Sequence, residues 1–142
     1  MSINVEALRL AERDLPMPDP VTRPYWEALN RGEFLLQRCV TCGQAQYYPR
    51  AICSHCAGDV EWFTASGRGA VHTFSIVRMA FAEPFSSLVP YVFAVVELDE
   101  GPLVLTNIIG CPIDDVRIGT RVRLEPVKAS DEITLPFWVL ED

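Results

Sequence analysis

Lysine is nearly absent from this sequence. The chain has 142 residues, 12 basic against 19 acidic, a net charge of −7, and Lys128 is its one lysine. Proteins that bind nucleic acids through the phosphates carry clustered basic residues, whereas the basic residues here are spread thinly. The sequence therefore disfavours DNA or RNA as a partner.

Long apolar runs are also missing. No stretch of eighteen apolar residues exists, so we expect no membrane-spanning helix. Residues 1–8 lack the basic-then-apolar order of a signal peptide, and we therefore expect a cytoplasmic location. In that compartment, paired cysteines favour a metal site over disulfides.

Recognisable catalytic combinations are missing as well. His55 and His72 have no neighbouring acid or serine motif, as a nucleophilic triad would require. Gly67-Arg68-Gly69 is too short for a phosphate-binding loop. Cys111, before Pro112, is expected to be an inert thiol. The sequence thus predicts no catalytic residue in this chain.

Four cysteines form the clearest motif. Cys39-x-x-Cys42 and Cys53-x-x-Cys56 are separated by ten residues, and two such pairs supply the four thiolates of a structural zinc site. Two disulfides or a redox pair are the alternatives, although a redox Cys-x-x-Cys usually occurs once. His55 lies inside the second pair and is expected to be exposed rather than a ligand. One zinc held by four cysteines has no open position for catalysis.

The regions before and around the cysteines show helix and ribbon patterns. Residues 3–14 predict a short amphipathic helix with Val5, Leu8 and Ala11 on one stripe, followed by a proline-rich linker at 15–22. A second helix is expected from Thr22 to Gly32. It carries Tyr25 and Trp26, which either pack on the chain's own barrel or dock onto a partner. We predict helices and linker at 1–32, a zinc ribbon at 33–66 and a barrel at 67–142.

The last region reads as five strands, at residues 70–79, 91–99, 102–110, 121–127 and 133–140. This pattern predicts a small antiparallel barrel of the oligonucleotide/oligosaccharide-binding (OB) type. The segments 91–96 and 103–109 are apolar on both faces, so the N-terminal helices, the ribbon or a second subunit must cover the outside. The apolar loop at 80–90 is expected to act as a lid, contact another protein or fold back onto the core.

These motifs together resemble a known family. Arg23-Pro24-Tyr25-Trp26, the two cysteine pairs, Tyr48-Pro49-Arg50 and Gly67-Arg68-Gly69 resemble the zinc-ribbon/OB-fold acyl-CoA-associated proteins known as domain of unknown function 35, over residues 22–140. The resemblance implies a mainly β fold, in which short helices precede a rubredoxin-like four-cysteine zinc ribbon and a five-stranded OB barrel.

The resemblance also implies a function. Such proteins are non-catalytic subunits that help form a CoA-thioester pocket with thiolase-type partners, CoA-dependent aldolases or enoyl-CoA hydratases, and a heterotetramer would be natural. The predicted CoA contacts are Arg50, Arg68 and Arg78 for the phosphates and Phe81, Phe85 and Tyr91 for the acyl or pantetheine path. Tyr25 and Trp26 are candidates for the partner interface. A nucleic-acid-binding ribbon/OB protein and a free-standing acyl-CoA sensor are the alternatives.

Overall fold

The computed structural model describes residues 4–141. It contains one α-helix, α1 (Arg23–Asn30), and eight strands. The strands are β1 (Leu35–Cys39), β2 (Ala45–Gln46), β3 (Val60–Thr64), β4 (Arg68–Val77), β5 (Tyr91–Leu98), β6 (Leu103–Ile108), β7 (Arg121–Lys128) and β8 (Thr134–Leu140). None of the helices formed by these residues is long and apolar enough to cross a membrane.

The predicted N-terminal helix is wrong. Two 3-10 turns, Glu6–Leu8 and Leu10–Glu12, stand in its place, and residue 3 lies outside the described residues. Arg9 between the turns has a left-handed backbone, with φ of 50°, which an α-helix cannot accommodate. The buried side chain is Leu10, which packs against Val127 and Phe137. Of the predicted stripe, Leu8 is half-buried against the same cluster, whereas Val5 and Ala11 are exposed.

The second helix is confirmed. Pro24 lies in the first turn of α1, where its missing N–H costs nothing. After the helix, Gly32 has φ of +81°, and the N–H of Glu33 donates to Ala28 O at 2.9 Å. This left-handed end satisfies a carbonyl of the last turn and sets the chain on its path into β1.

The strands form a three-stranded ribbon and a closed barrel. The ribbon has the order β2-β1-β3, and the barrel has the order β4-β5-β6-β8-β7. The five predicted barrel strands are confirmed. All neighbours in the barrel are antiparallel except β6 and β8, which are parallel and paired only at Ile108 and Trp138.

One hydrophobic core runs through helix, ribbon and barrel. The Phe34 ring, at the entrance to β1, lies 5.6 Å from the Tyr25 ring and 5.8 Å from the Trp138 ring between centroids. All three side chains are at most 1% exposed. The helix and the ribbon are therefore fixed to the barrel by shared packing.

Candidate functional site

The four cysteine side chains meet at the end of the ribbon. Their sulfur atoms all lie within 4.8 Å of one another, with 3.5 Å from Cys39 to Cys56 and 3.7 Å from Cys42 to Cys53. A zinc ion with bonds of about 2.3 Å has sulfurs about 3.8 Å apart, whereas a disulfide needs about 2 Å. The donor set fits a structural zinc, and the disulfide alternative is wrong.

Backbone N–H groups turn toward the sulfurs in both cysteine pairs. The N–H groups of Thr41 and Cys42 donate to Cys39 Sγ at 3.3 and 3.4 Å, and that of His55 donates to Cys53 Sγ at 3.3 Å. The Cys42 N–H, with help from Thr41, lowers the pKa of Cys39 to about 6. In each turn these bonds stabilise the thiolate of the first cysteine, Cys39 or Cys53, which is the form that a metal binds.

His55 and Cys111 lie outside the group of four cysteines. His55 is exposed and lies outside the group of sulfur atoms. Cys111 is half-buried, away from the ribbon cysteines, and burial raises the pKa of its thiol. A protonated thiol is a poor nucleophile, which supports the interpretation of Cys111 as inert.

Two buried glutamines hold the second cysteine pair, and sequence reasoning missed them. Gln37 on β1 lies opposite Gln46 on β2, and Gln46 Nε2 donates to Gln37 Oε1 at 2.8 Å. Gln37 exchanges two hydrogen bonds with the backbone of Arg50, both at 2.9 Å, and Gln46 Oε1 accepts from the Ser54 N–H at 2.9 Å. These bonds fix the chain that leads into Cys53. The available signal was a glutamine between the apolar residues Ala45 and Tyr47, and Gln37, which is followed by Arg38, had no such signal.

The aromatic residues of α1 pack inside the chain. Tyr25 has no exposed surface, and its hydroxyl lies 3.1 Å from that of Tyr47. Trp26 is 8% exposed, and its Nε1 donates to Tyr48 OH at 2.9 Å. Internal packing, one of the two alternatives, therefore describes this pair, and Tyr25 has no surface to offer a partner.

The predicted CoA contacts do not form one cluster. Arg50, Arg68 and Arg78 are all exposed, and Arg68 pairs with Glu141. Arg68 begins β4 and Arg78 follows its end, ten residues later, which corresponds to roughly 30 Å along an extended strand. These arginines therefore do not surround one phosphate group.

Two of the three aromatic residues predicted to contact CoA lie close together. Phe85 and Tyr91 have ring centroids 6.2 Å apart. Phe85 belongs to a 3-10 turn in the loop between β4 and β5, and Tyr91 begins β5. Phe81, on the same loop, is 94% exposed. Its ring has the whole of its surface available for a partner or ligand.

Comparison with known proteins identifies the family. Two family models match: "ChsH2, rubredoxin-like zinc ribbon domain" at residues 26–61 and "ChsH2, C-terminal OB-fold domain" at residues 62–126. A "DUF35 domain-containing scaffold protein" of Methanothermobacter thermautotrophicus is 35% identical over 97 residues, covering 67% of this chain and 72% of that protein. The chain belongs to the ChsH2/DUF35 family. The resemblance drawn from the sequence is confirmed.

Two further relatives of this ChsH2/DUF35 chain are informative. A solved structure described as "Ltp2-ChsH2(DUF35) aldolase" superposes with a TM-score of 0.77 at 31% identity, covering 89% of this chain and 98% of that one. A "Probable enoyl-CoA hydratase alpha subunit" of Thermomonospora curvata is 35% identical over 116 residues, 80% of this chain. The chain spans about a third of that hydratase subunit, at 35% of its length.

The names of these relatives bear on the alternatives. They are scaffold proteins, an aldolase complex and a hydratase subunit. Together with the net charge of −7, they give the nucleic-acid alternative no support.

Proposed function

We propose that this chain is a non-catalytic, zinc-containing accessory subunit of an acyl-CoA-converting complex with a thiolase-type partner. Relatives named as scaffold proteins and as part of an aldolase complex support this proposal. A partner of the CoA-dependent aldolase or enoyl-CoA hydratase type is the alternative, since hydratase subunits also match. The proposed role is to stabilise the partner and to complete its CoA-thioester pocket.

The observation that carries the proposal is an uncovered apolar face of the barrel. Phe93 on β5 and Leu103 and Leu105 on β6 are 43%, 49% and 65% exposed. Val95 and Leu105 lie opposite each other in the strand register, so the apolar side chains are adjacent across two strands. We call this surface, formed by Phe93, Val95, Leu103 and Leu105, the β5–β6 face.

Nothing within residues 4–141 covers the β5–β6 face. Helix α1 contacts β1, β7 and β8 instead, so the N-terminal helix does not fill the role that the sequence left open for it. Of the three predicted covers, a second subunit agrees best with these exposures. Exposed, contiguous apolar surface of this kind is typical of protein–protein interfaces.

The chemistry of this face suits a stable protein partner. Its apolar centre is bordered by Glu97, opposite Leu103, and by Thr73, opposite Val95. An apolar core with a polar rim is the usual arrangement of an interface. We therefore propose that the partner subunit packs on this face and that the two chains form a hetero-oligomer, with a heterotetramer as the simplest symmetric assembly.

We propose that the CoA thioester binds at the edge of this interface. The loop between β4 and β5 carries Met79 and Phe81, 71% and 94% exposed, beside Phe85 and Tyr91. These side chains are proposed to line the acyl or pantetheine path together with Arg78. Arg50 and Arg68 stay predicted phosphate contacts, each to be tested separately because the two lie on different parts of the fold.

The test is reconstitution with an identified partner. The tagged chain is purified from its native host, and a thiolase-like, aldolase or hydratase subunit is identified by mass spectrometry and expressed separately. Leu105→Glu places a charge at the centre of the β5–β6 face and is expected to weaken the complex by at least about tenfold. Ile118→Glu is the matched control, since Ile118 is also exposed, at 71%, but lies outside this face.

Two results would contradict the proposal. One is a purified chain that brings down no such subunit in a fixed ratio and is itself active on acyl-CoA. The other is a reconstituted complex that Leu105→Glu and Ile118→Glu weaken equally, since this would place the interface elsewhere.

A further inference from the structure

A small cavity lies at one end of the barrel, away from the zinc site. Its volume is about 110 Å³, and it is lined by the N-terminal 3-10 segment, the loop before β5, the end of β6 and the middle of β8. Most of its wall is apolar, including Leu8, Leu88, Ile109 and Phe137. The cavity also contains one charged side chain, that of Arg13.

Arg13 is held between two aromatic rings. Its guanidinium carbon lies 5.2 Å from the ring centroid of Phe85 and 5.3 Å from that of Phe137. Its Nε donates to the carbonyl oxygen of Leu8 at 3.1 Å. These contacts fix the orientation of the guanidinium while using only one of its five N–H donors.

No carboxylate of residues 4–141 pairs with this arginine. Arg9, four residues earlier, by contrast forms ion pairs with both Glu12 and Glu83. Asn107 also lines the cavity, but its Nδ2 donates a hydrogen bond to Val92 O at 2.9 Å. Arg13 is therefore the one charged anchor that the described residues place in the cavity.

A partly buried charge without a counter-ion is unfavourable. Burial lowers the pKa of Arg13, with the nearby Tyr91 hydroxyl acting in the opposite direction. Arginine nevertheless keeps its proton in proteins. An anion that reached the free N–H groups would relieve this cost, and a planar carboxylate matches the guanidinium fork.

We propose that the cavity binds a short-chain monocarboxylate, with the carboxylate on Arg13 and the alkyl group among Leu88, Ile109 and Phe137. A cavity of about 150 Å³ accommodates benzene, which has six non-hydrogen atoms, so one of about 110 Å³ holds about four or five, as in propionate. A butyrate would extend its terminal methyl group through the open side of the cavity. The site lies within one chain and uses residues before position 26, where the family match begins. It shares Phe85 and Tyr91 with the proposed acyl or pantetheine path but goes beyond the proposed function, because binding to Arg13 does not require a partner.

The test uses the full zinc-loaded chain, without a partner, in chloride-free buffer. Sodium butyrate is titrated while backbone and side-chain amide signals are followed by NMR. We expect saturable shifts at Arg13, Leu88 and the Asn107 side-chain amide. Butyramide, which has the same shape and no charge, is expected to bind at least about tenfold more weakly, because a charge-assisted hydrogen bond is lost.

A pair of variants assigns the binding to Arg13. Arg13→Gln is expected to weaken butyrate binding by about tenfold or more. Arg31→Gln is the matched control, since Arg31 is an exposed arginine at the end of α1, where it pairs with Glu33, and it is expected to leave binding unchanged.

Three results would overturn this assignment. These are equal affinities for butyrate and butyramide, shifts by sodium chloride that match those by sodium butyrate, and unchanged butyrate binding by a folded Arg13→Gln variant. If Arg13→Gln does not fold, the comparison of butyrate, butyramide and chloride on the unmodified chain decides the question.

Discussion

Gln37 and Gln46 connect the two cysteine pairs through buried hydrogen bonds. Replacing Gln37 by leucine removes the partners of both backbone groups of Arg50 and one of the two acceptors of Gln46 Nε2, which keeps Ile52 O at 3.2 Å. Each buried polar group left unpaired costs about 1–3 kcal/mol, and supporting groups around metal sites typically contribute ten- to hundredfold in affinity. We expect Gln37→Leu to weaken zinc binding by about ten- to hundredfold, measured by competition with a chromophoric chelator.

Gln44 provides the control for this experiment. Its side chain is exposed, and the hydrogen bond it accepts from the Cys39 N–H uses its backbone oxygen. Gln44→Leu is expected to bind zinc like the unmodified chain. Equal zinc affinities for the Gln37 and Gln44 variants would show that the buried amides do not support the metal centre.

The burial of Tyr25 lets us predict how the free energy of unfolding changes at alkaline pH. Burial raises the pKa of Tyr25 well above its ordinary value of about 10. The unfolded chain therefore releases this proton above about pH 10 while the folded chain retains it, so the stabilising contribution is present below pH 10 and is lost as the pH rises. Tyr25→Phe is expected to make the fall in unfolding free energy shallower by about 1.4 kcal/mol per pH unit.

Denaturant unfolding at several pH values between 9 and 11.5 measures this slope. At pH 7 the same variant is expected to lose only about 1 kcal/mol, the value of one hydrogen bond to Tyr47. An unchanged slope above pH 10 would mean that another group controls alkaline unfolding.

At the scale of the elements, β4 depends on a close approach at Gly69. This glycine pairs with Leu98 of β5 and Val122 of β7, where β4 bridges both neighbours. An added Cβ would lie 2.5 Å from Glu97 O and 2.8 Å from Val96 Cγ1. Gly69→Ala is expected to destabilise the fold by about 1–3 kcal/mol, as overpacking does.

Thermal and denaturant unfolding test this expectation. Ser75→Ala is the control on the same strand, because Ser75 is exposed, and its effect should stay within about 0.5 kcal/mol. A stable Gly69→Ala variant would imply that β4 and β5 can separate at this end without loss of barrel closure.

The elements show what local pattern can and cannot predict. The five barrel strands and α1 were predicted because alternation, capping residues and turn signals are local properties. The helix at 3–14 was wrong because the left-handed backbone of Arg9 and the burial of Leu10 against Phe137 depend on the barrel. Tertiary contacts overrode the local periodicity there.

In the candidate site, too, the residues in local motifs were predicted and those that depend on strand pairing were missed. The four cysteines were predicted from their spacing, since each pair is a local unit. Gln37 and Gln46 were missed because a glutamine in a strand is usually exposed, and only the pairing of β1 with β2 brings them together. The arginines proposed for CoA likewise could not be placed before the length and direction of β4 were known.

For the molecule as a whole, the shared core predicts that zinc binding in the ribbon and the stability of the barrel are coupled. Phe34 contacts both Tyr25 and Trp138, so disorder in the ribbon would uncover part of the barrel core. We expect Cys53→Ser to lose zinc and to lower the unfolding temperature of ribbon and barrel together. NMR signals of the barrel amides report on the barrel, and near-UV circular dichroism reports on the aromatic core that the barrel shares with the ribbon.

Cys111→Ser separates this effect from the loss of a thiol as such. Cys111 lies outside the cysteine group, so this variant is expected to retain about one zinc per chain. If the barrel of the Cys53→Ser variant unfolded at its usual temperature, ribbon and barrel would be independent units.

The parallel contact between β6 and β8 has a consequence for how the barrel opens. These strands are paired at Ile108 and Trp138 alone, and the Ile109 N–H donates one more bond to Trp138 O at 2.9 Å. In contrast, β7 and β8 are paired along their length, from Val122 opposite Leu140 to Lys128 opposite Thr134. Separating β6 from β8 breaks the fewest hydrogen bonds of any barrel junction. In heavy water, the Ile109 amide should therefore take up deuterium before the amides of β4 and β5, which makes this junction the barrel's first point of entry for solvent.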